Sequence, residues 1–249
     1  MIEIKTTAEL DLMRQASRIV AQVLALLKKE VRAGVSTAEL NSLAEREIRK
    51  RGAVPAFLGY RGYPATLCVS INEVVVHGIP SDKRIIQSGD LVSLDLGAVY
   101  KGFYGDAAIT VAVGAVKPER ARLMEVTERS LASALSEVKS GAKIGDVSHA
   151  VESVVTKNGM SVVREFTGHG IGRHLHEEPS IPNYGKPGSG ATLKPGMTLA
   201  IEPMVCMGNP EIIIKNDGWT AVSADGSCTA HFEHTVAVTE DGCEILSVV

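Results

Sequence analysis

The stretch GDLVSLDLGAVYKGFYGDAAITVAVG, residues 89–114, decides the fold, because it is typical of two strands joined by a tight turn. Tyr100-Lys101-Gly102 is the predicted turn, and apolar and β-branched residues extend from both sides of it. Asp95 and Asp106 lie symmetrically about this turn, so we expect them to face each other across an antiparallel pair. Directly opposed like charges destabilise a sheet, and an unpaired charge in apolar surroundings is costly. Either a cation lies between the two aspartates, or both are exposed at a sheet edge.

Helical patterns flank this hairpin on both sides. Residues 6–9 and 36–39 are capping boxes that predict two helices before it, the first ending near Glu30. Pro118 begins a third predicted helix, and apolar spacing over residues 147–155 predicts a fourth. The remaining segments read as strands, so the order is helix, helix, strands, repeated once. This order predicts an α+β fold with an antiparallel sheet covered by helices.

An internal repeat supports two related halves. The matching pairs, each 107 residues apart, are Gly34 and Gly141, Glu45 and Glu152, Lys50 and Lys157, Gly52 and Gly159, Gly89 and Gly196, and Asp95 and Glu202. We interpret residues 1–249 as a single domain made of halves at about 1–115 and 116–249, related by a pseudo-twofold axis. Two such halves can each supply carboxylates at equivalent places to one shared site.

The composition is that of an ordinary globular protein. The chain has 249 residues and a formal net charge of −3, without the basic excess that a nucleic-acid-binding protein usually carries. No stretch approaches 18 apolar residues, so we expect no membrane span, and the N-terminus does not resemble a signal peptide. Its four cysteines form no C-x-x-C pair, which favours reduced thiols and a cytoplasmic location.

Two further carboxylates and a histidine-rich segment extend the candidate site. Glu202 lies in TLAIEPM and Glu233 in AHFEHTVAV, both otherwise apolar strand sequences. FTGHGIGRHLHEEPSIPNYG, residues 166–185, carries three histidines among glycines. A single buried carboxylate is often a salt bridge, and any one histidine is more often a core or surface residue. Four carboxylates, two per half and symmetrically placed, with one imidazole instead favour two divalent ions such as Mn²⁺, Fe²⁺, Co²⁺ or Zn²⁺.

Taken together, these motifs resemble those of the type I methionine aminopeptidases, metallopeptidases of the pita-bread fold. The matching stretches cover essentially the whole chain: GYPATLCVSINEVVVHGIP, GDLVSLDLGAVYKGFYGDAAIT, TGHGIGRHLHEEPSIPNYG, GMTLAIEPM, NDGWTAVSADGS and FEHTVAVT. The resemblance implies a metal-dependent hydrolase that removes the initiator methionine from nascent proteins when the second residue is small. His169 and Glu202 are only 33 residues apart, too close for the insertion of type II enzymes. We expect no Cys-rich zinc-binding region before the catalytic domain and no transit peptide, which favours the short bacterial form over the organellar one.

The resemblance also implies residue roles. The five metal ligands would be Asp95, Asp106, His169, Glu202 and Glu233. His77 and His176 would contact the substrate amide and the developing oxyanion, and Glu202 would also shuttle the proton. The pocket for the first residue would be lined by Tyr60, Tyr63, Cys68, His77, Leu175, His176 and Trp219. A monovalent cation is expected at Asn72, Val74 and Thr229. Leu175 and Phe57 replace an aromatic residue and a cysteine found in many members.

The expected partners are nascent polypeptide N-termini and, transiently, the ribosome, with the enzyme itself a monomer. One alternative is a prolidase or aminopeptidase P of the same fold, which usually carries a further N-terminal domain. The other is a non-catalytic scaffold that binds protein or RNA. Relatives of that kind lose metal ligands, whereas all five stand in this chain.

Overall fold

The computed structural model describes residues 2–249, so Met1 of the predicted domain lies outside the described residues. Within them the chain forms four α-helices, one 3-10 turn and fifteen strands, and all strand pairs are antiparallel. The helices are α1 (Thr7–Glu30), α2 (Thr37–Lys50), α3 (Pro118–Ser136) and α4 (Ile144–Lys157), and the 3-10 turn is Tyr60–Gly62. The strands are β1 (Val54–Pro55), β2 (Leu67–Ile71), β3 (Val74–Val76), β4 (Leu91–Tyr100), β5 (Phe103–Ala112), β6 (Ser161–Val162), β7 (Thr167–Gly170), β8 (Glu177–Pro182), β9 (Thr198–Ile201), β10 (Met204–Cys206), β11 (Ile212–Ile214), β12 (Ala221–Ser223), β13 (Thr229–His231), β14 (Glu233–Val238) and β15 (Cys243–Ile245).

A nine-stranded sheet forms the centre of the molecule. Its main order is β1-β4-β5-β14-β9-β7-β8, with β2 added beside β4 and β15 beside β14. The pair β5 and β14 therefore joins the first half of the chain to the second. Helices α1 and α2 bury their apolar faces against β2, β4 and β5, and α3 and α4 share a second core with β9 and β14. The predicted α+β arrangement of helices on an antiparallel sheet is confirmed.

The predicted helix starts are also confirmed. In the capping boxes of α1 and α2, the side chain at the N-cap accepts from the backbone three residues on, and the glutamate there accepts from the N-cap backbone. These bonds satisfy backbone N–H groups that otherwise have no partner at a helix start. Helix α3 begins at Pro118, where the missing N–H costs nothing. No helix within residues 2–249 combines the length and the apolar character needed to cross a bilayer.

The 107-residue repeat is visible in the element bounds. Both ends of α4 lie 107 residues after the corresponding ends of α2. The same offset relates Val54↔Val99 in the β1–β4 pair to Ser161↔Cys206 in the β6–β10 pair. Gly34 and Gly141 share left-handed φ values of 90° and 85°. The two halves therefore repeat turn geometry and strand register as well as sequence.

The β4–β5 hairpin differs from the prediction in its register. Its turn consists of Lys101 and Gly102 alone, both with positive φ, which is the geometry of a two-residue type I′ hairpin. The turn is centred one residue later than the sequence suggested, and this moves the pairing by two residues. Asp95 therefore lies opposite Ala108, and the predicted direct opposition to Asp106 is wrong. The two aspartates still share one face of the sheet as diagonal neighbours, because side chains alternate along a strand.

Candidate metal centre and substrate pocket

The strand pleat turns Asp95 and Asp106 away from the helices. Leu94 and Leu96, on either side of Asp95, are buried in the core against α1 and α2, so Asp95 points to the opposite face. Asp106 follows the same rule, because its neighbour Ala107 belongs to that core. The sheet thus presents both aspartates of the first half on its helix-free side.

The carboxylates of the second half lie at a break between two ladders. The β9–β14 ladder reaches the pair Ile201↔His234, and the β10–β13 ladder resumes at Met204↔His231. This register leaves Glu202 and Glu233 facing each other between the ladders. Glu233 is buried, whereas the Glu202 side chain keeps 14% of its surface exposed. An accessible carboxylate beside a buried one suits a group that must exchange a proton with substrate.

One cavity of about 250 Å³ collects the predicted site residues. All twelve predicted metal-binding, catalytic and pocket residues line it, and they are Tyr60, Tyr63, Cys68, His77, Asp95, Asp106, His169, Leu175, His176, Glu202, Trp219 and Glu233. Phe57, Arg61 and Phe166 complete the lining. Residues separated by more than a hundred positions in the sequence therefore meet at the seam between the halves.

Three of the four carboxylates form, with His169 and His231, two groups that suit cations, and Asp95 belongs to neither group. The ligand atoms of Asp106, His169 and Glu233 lie within 4.8 Å of one another, and so do those of Glu202, His231 and Glu233. Glu233 belongs to both groups. Asp106 Oδ1 and Glu233 Oε1 are buried without a hydrogen-bond partner. Within residues 2–249, no Lys or Arg forms an ion pair with any of the four carboxylates. Buried charges are normally paired or metal-bound, so the donor set fits divalent ions.

His169 is oriented for a ligand role. Its Nδ1 lies 2.9 Å from the Gly170 carbonyl oxygen, which can only accept, so Nδ1 carries the proton. The lone pair of a neutral ring is then on Nε2, which lies 3.4 Å from Glu202 Oε1. Burial lowers the pKa of His169 to about 3, with the nearby His176 adding to the effect. A neutral imidazole whose Nε2 lone pair faces the carboxylates is the form that binds a metal.

Without bound cations, the protonated form of the four carboxyl groups is favoured over the ionised form. Burial raises the pKa of each, and the neighbouring carboxylates raise the pKa values of Asp106 and Glu233 further. For Glu202, burial alone raises the pKa to about 8. Each therefore takes up protons unless a positive charge replaces them. This electrostatic demand is the one that two divalent cations would meet.

Two further histidines border the carboxylates. His176 lies on the loop before β8, with its ring centroid 4.2 Å from that of His169. Its Nδ1 is 2.8 Å from the Tyr60 hydroxyl. His77 has a left-handed φ of 59° and packs edge-on against Phe166. Burial lowers the pKa of His77 to about 4, so this ring stays neutral at physiological pH.

An apolar slot adjoins the polar site. The Tyr63 ring meets the Trp219 ring edge-on at a centroid distance of 5.1 Å, and the Tyr63 hydroxyl donates to the Leu67 and Gly78 carbonyls. Cys68 pairs with Asp95 in the β2–β4 ladder, so the apolar and acidic surfaces are continuous. Burial raises the pKa of the Cys68 thiol, and the negative charge of Asp95 raises it further. The thiol is therefore neutral and acts as apolar lining.

Leu175 and Phe57 are both buried, and both line the cavity. The Phe57 ring also fits closely against β4: a Cβ added at Gly97 would lie 2.6 Å from its Cε1. The aromatic side chain at position 57 thus occupies the space that glycine leaves in the strand.

The predicted monovalent-cation residues lie together outside this cavity. Thr229 Oγ1 is 3.0 Å from the Asn72 carbonyl oxygen and 2.8 Å from that of Val74. Asn72 adopts a left-handed φ of 55°, and the Thr229 N–H also donates to its carbonyl. Three oxygen atoms therefore converge where the resemblance implies them.

His231 is the site residue that the sequence reasoning missed. It is buried, and its Nε2 lies 3.6 Å from Glu202 Oε2 without a hydrogen-bond partner. Downstream of the hairpin the repeat offset becomes 125, as equivalent backbone hydrogen bonds show: Gly89 to Val113 and Gly196 to Val238. By this register Asp106 corresponds to His231, and Glu233 corresponds to Ala108. Among the four carboxylates, only Asp95 and Glu202 are therefore related to each other by the repeat. The second offset could have pointed to His231 in the sequence, because it relates that residue to Asp106.

Comparison with known proteins places the chain among metallopeptidases. Residues 11–240 match the model of metallopeptidase family M24. The chain is 49% identical to methionine aminopeptidase 1 of Bacillus subtilis, over 100% of both chains. The crystal structure of methionine aminopeptidase from Thermotoga maritima superposes with a TM-score of 0.99 at 47% identity, over 100% of both chains. Xaa-Pro dipeptidase from Bacillus anthracis is more distant, with a TM-score of 0.80 at 26% identity, covering 98% of this chain and 61% of that one.

Proposed function

The chain belongs to metallopeptidase family M24, and from this premise we propose that it removes the N-terminal methionine from polypeptide chains. The family and pita-bread fold predicted from the sequence are confirmed by relatives that match over their full length. The observation that carries the proposal is the continuity of the carboxylate cluster with an apolar, aromatic slot in one cavity. The first element suits peptide hydrolysis and the second suits a thioether side chain.

Two divalent ions would be held by Asp95, Asp106, His169, Glu202 and Glu233. This assignment is supported by the buried Asp106 and Glu233 oxygens that lack hydrogen-bond partners and by the free lone pair on His169 Nε2. Co, Mn, Fe or Zn would each suit the donor set. Such a pair of ions supplies Lewis acidity and an activated water for attack on the methionine carbonyl.

The chain's own residues would then manage protons and charge. Glu202 would take the proton of the attacking water and pass it to the leaving amine, a role that its partly exposed side chain supports. His176, at the mouth of the site, would donate a hydrogen bond to the developing oxyanion. His77, held neutral by burial, would contact the substrate amide.

Substrate selection would rest on the slot formed by Tyr60, Tyr63, Cys68, Leu175 and Trp219. The edge-on Tyr63–Trp219 pair gives this slot a rigid wall. A small second residue is expected in the substrate, as the resemblance implies. His77 and His176, at the border of the slot, would orient the scissile amide.

Other features belong to the same proposal. A monovalent cation would bind at Asn72, Val74 and Thr229, supported by the convergence of their oxygens. Residues 1–249 would act as a single catalytic domain with halves at about 1–115 and 116–249. The enzyme would be a cytoplasmic monomer that meets nascent chains and, transiently, the ribosome.

A peptide assay with metal analysis tests the function. After a chelator has removed its metal, the protein should release no methionine from Met-Ala-Ser, and added Co²⁺, Mn²⁺ or Fe²⁺ should restore release. Asp95→Asn should lose both metal and activity, while Asp82→Asn, at an exposed position, serves as the matched control. Faster cleavage of an Xaa-Pro dipeptide would instead identify a prolidase. Metal-loaded protein without peptidase activity, unaffected by Asp95→Asn, would support the non-catalytic scaffold.

A further inference from the structure

Tyr60 contacts His176 in two ways. Its hydroxyl oxygen lies 2.8 Å from His176 Nδ1. The two rings also stack, with centroids 5.4 Å apart and planes inclined by 24°. Together, the hydrogen bond and the stacked contact fix the tilt of the imidazole ring and determine which of its edges faces Tyr60.

The bond involves the ring nitrogen that decides what His176 can do. In a neutral imidazole one nitrogen donates and the other accepts, so the state of Nδ1 sets the state of Nε2. If Nδ1 accepts, Nε2 carries the proton and can donate to an oxyanion. If Nδ1 donates, Nε2 offers a lone pair and suits a metal ion instead. The direction of the bond to Tyr60 therefore separates two chemical roles.

Basicity fixes that direction. The imidazole nitrogen is protonated with a pKa near 6.5, whereas a phenol is itself an acid with a pKa near 10. The phenol O–H is thus the better donor and the imidazole lone pair the better acceptor. We propose that Tyr60 is a positioning residue that donates to Nδ1 and holds His176 as the Nε2–H tautomer. This inference rests on the proposed function, in which His176 donates to the oxyanion.

The backbone around Tyr60 supports a fixed hydroxyl. Gly59, Arg61 and Gly62 all have positive φ, at 83°, 49° and 89°. Backbone bonds from Tyr60 N–H to the Phe57 carbonyl and from Gly59 N–H to the Tyr63 carbonyl close the turn. The conformation of Arg61 is uncommon for a residue with a side chain. The turn thus holds Tyr60 over the His176 ring.

The loop that carries His176 is fixed from its other side. Lys5 Nζ lies 2.6 Å from Glu177 Oε2, and both side chains are at least nine-tenths buried. Glu177 Oε1 accepts from the His174 N–H, which braces the turn just before His176. With the backbone held there, the remaining freedom of His176 is in its ring, which Tyr60 restrains.

The tautomer can be measured directly in metal-free protein. Long-range ¹H–¹⁵N NMR on histidine-labelled protein at pH 8 distinguishes Nε2–H from Nδ1–H, and His176→Asn assigns the signals. The wild type should show Nε2–H, and Tyr60→Phe, which keeps the ring, should populate both tautomers. Tyr63→Phe is the matched control, because its hydroxyl bonds to the Leu67 and Gly78 carbonyls, and it should leave the His176 tautomer unchanged.

Kinetics give the second readout. In the metal-loaded enzyme, Tyr60→Phe should lower kcat by roughly five- to tenfold, the population change that one net hydrogen bond supports, with KM and metal content unchanged. An Nδ1–H tautomer in the wild type overturns the inference, and so does a tautomer that Tyr60→Phe does not alter. Because the NMR measurement needs no turnover, failure of the proposed function and failure of this inference are distinguishable.

Discussion

His231 Nε2 lies 3.6 Å from Glu202 Oε2, while His169 Nε2 lies 3.4 Å from the other oxygen of the same carboxylate. Glu202 is therefore flanked by two imidazoles. His169 presents its lone pair, because its proton is directed to the Gly170 carbonyl. His231 belongs to the same strand region as Glu233 and is buried without a hydrogen-bond partner on Nε2. A proton on His231 Nε2 would make this nitrogen a hydrogen-bond donor for Glu202 Oε2.

We expect His231 to orient Glu202 from outside the ligand set. His231→Leu removes the donor and should weaken divalent-ion binding or turnover by about 10- to 100-fold, as loss of a partner behind a metal ligand does. His231→Gln keeps an N–H donor and should retain most of both. Titration calorimetry on metal-free protein measures ion binding, and kcat of the metal-loaded enzyme measures turnover. Equal behaviour of the two variants and the wild type would contradict this role.

His176→Ala should lower kcat by about 10²- to 10³-fold, because an oxyanion donor acts only in the transition state. Metal content should stay at the wild-type level, since His176 is not expected to bind the ions. His174→Ala, an exposed neighbour outside the cavity, is the matched control. Metal analysis on both variants separates the roles: loss of metal in parallel with kcat would make His176 a ligand.

Trp219→Ala should mainly weaken methionine binding. Removing the ring that packs against Tyr63 should raise KM for Met-Ala-Ser roughly tenfold, equivalent to about 1.4 kcal/mol, with a smaller change in kcat. Ile213→Ala changes an exposed side chain on the nearby strand β11 and provides the control. An unchanged KM would remove Trp219 from the pocket.

The metal-free protein should lose stability as pH rises. Buried Asp106 and Glu233 have raised pKa values when folded, and that of Glu202 rises to about 8. In the unfolded chain such groups titrate near pH 4. The buried histidines have lowered pKa values and oppose this effect below their unfolded value of about 6.5. Between about pH 6.5 and about pH 8 the folded protein binds more protons than the unfolded chain, so the free energy of unfolding decreases over that range.

Urea denaturation in the presence of a chelator, at pH 7 and at pH 8, measures this loss. Asp106→Asn removes one of the groups and should reduce the difference between the two pH values. Saturating metal should also reduce it, because the ions replace the protons. A difference that is the same in wild type and Asp106→Asn would show that this carboxyl group ionises normally.

Local patterns in the sequence were enough for the helices and the hairpin. The capping boxes at Thr6 and Ser36 are short-range hydrogen-bond signals, and the structure confirms both. The hairpin register was beyond such reasoning, because Lys101 adopts a left-handed φ that its side chain disfavours. Only the pairing across the whole ladder fixes that conformation.

The candidate site likewise contains residues that could be recognised from the sequence and one that could not. Carboxylates in apolar strands were visible in the sequence because their charge contradicts their surroundings. His231 carried no such contradiction, since a histidine in an apolar strand is an ordinary core residue. Its significance depends on the distance to Glu202, which arises only when β13 and β10 pair. Predicting it required the register of the second half.

The seam between β5 and β14 gives any cation bound there a mechanical role as well as a chemical one. Asp95 and Asp106 lie in the first half of the chain, and Glu202 and Glu233 in the second. An ion shared by carboxylates of both halves would close a loop of roughly a hundred residues, as a disulfide would, but reversibly. Supply of metal would then govern how long the folded protein survives as well as how fast it works.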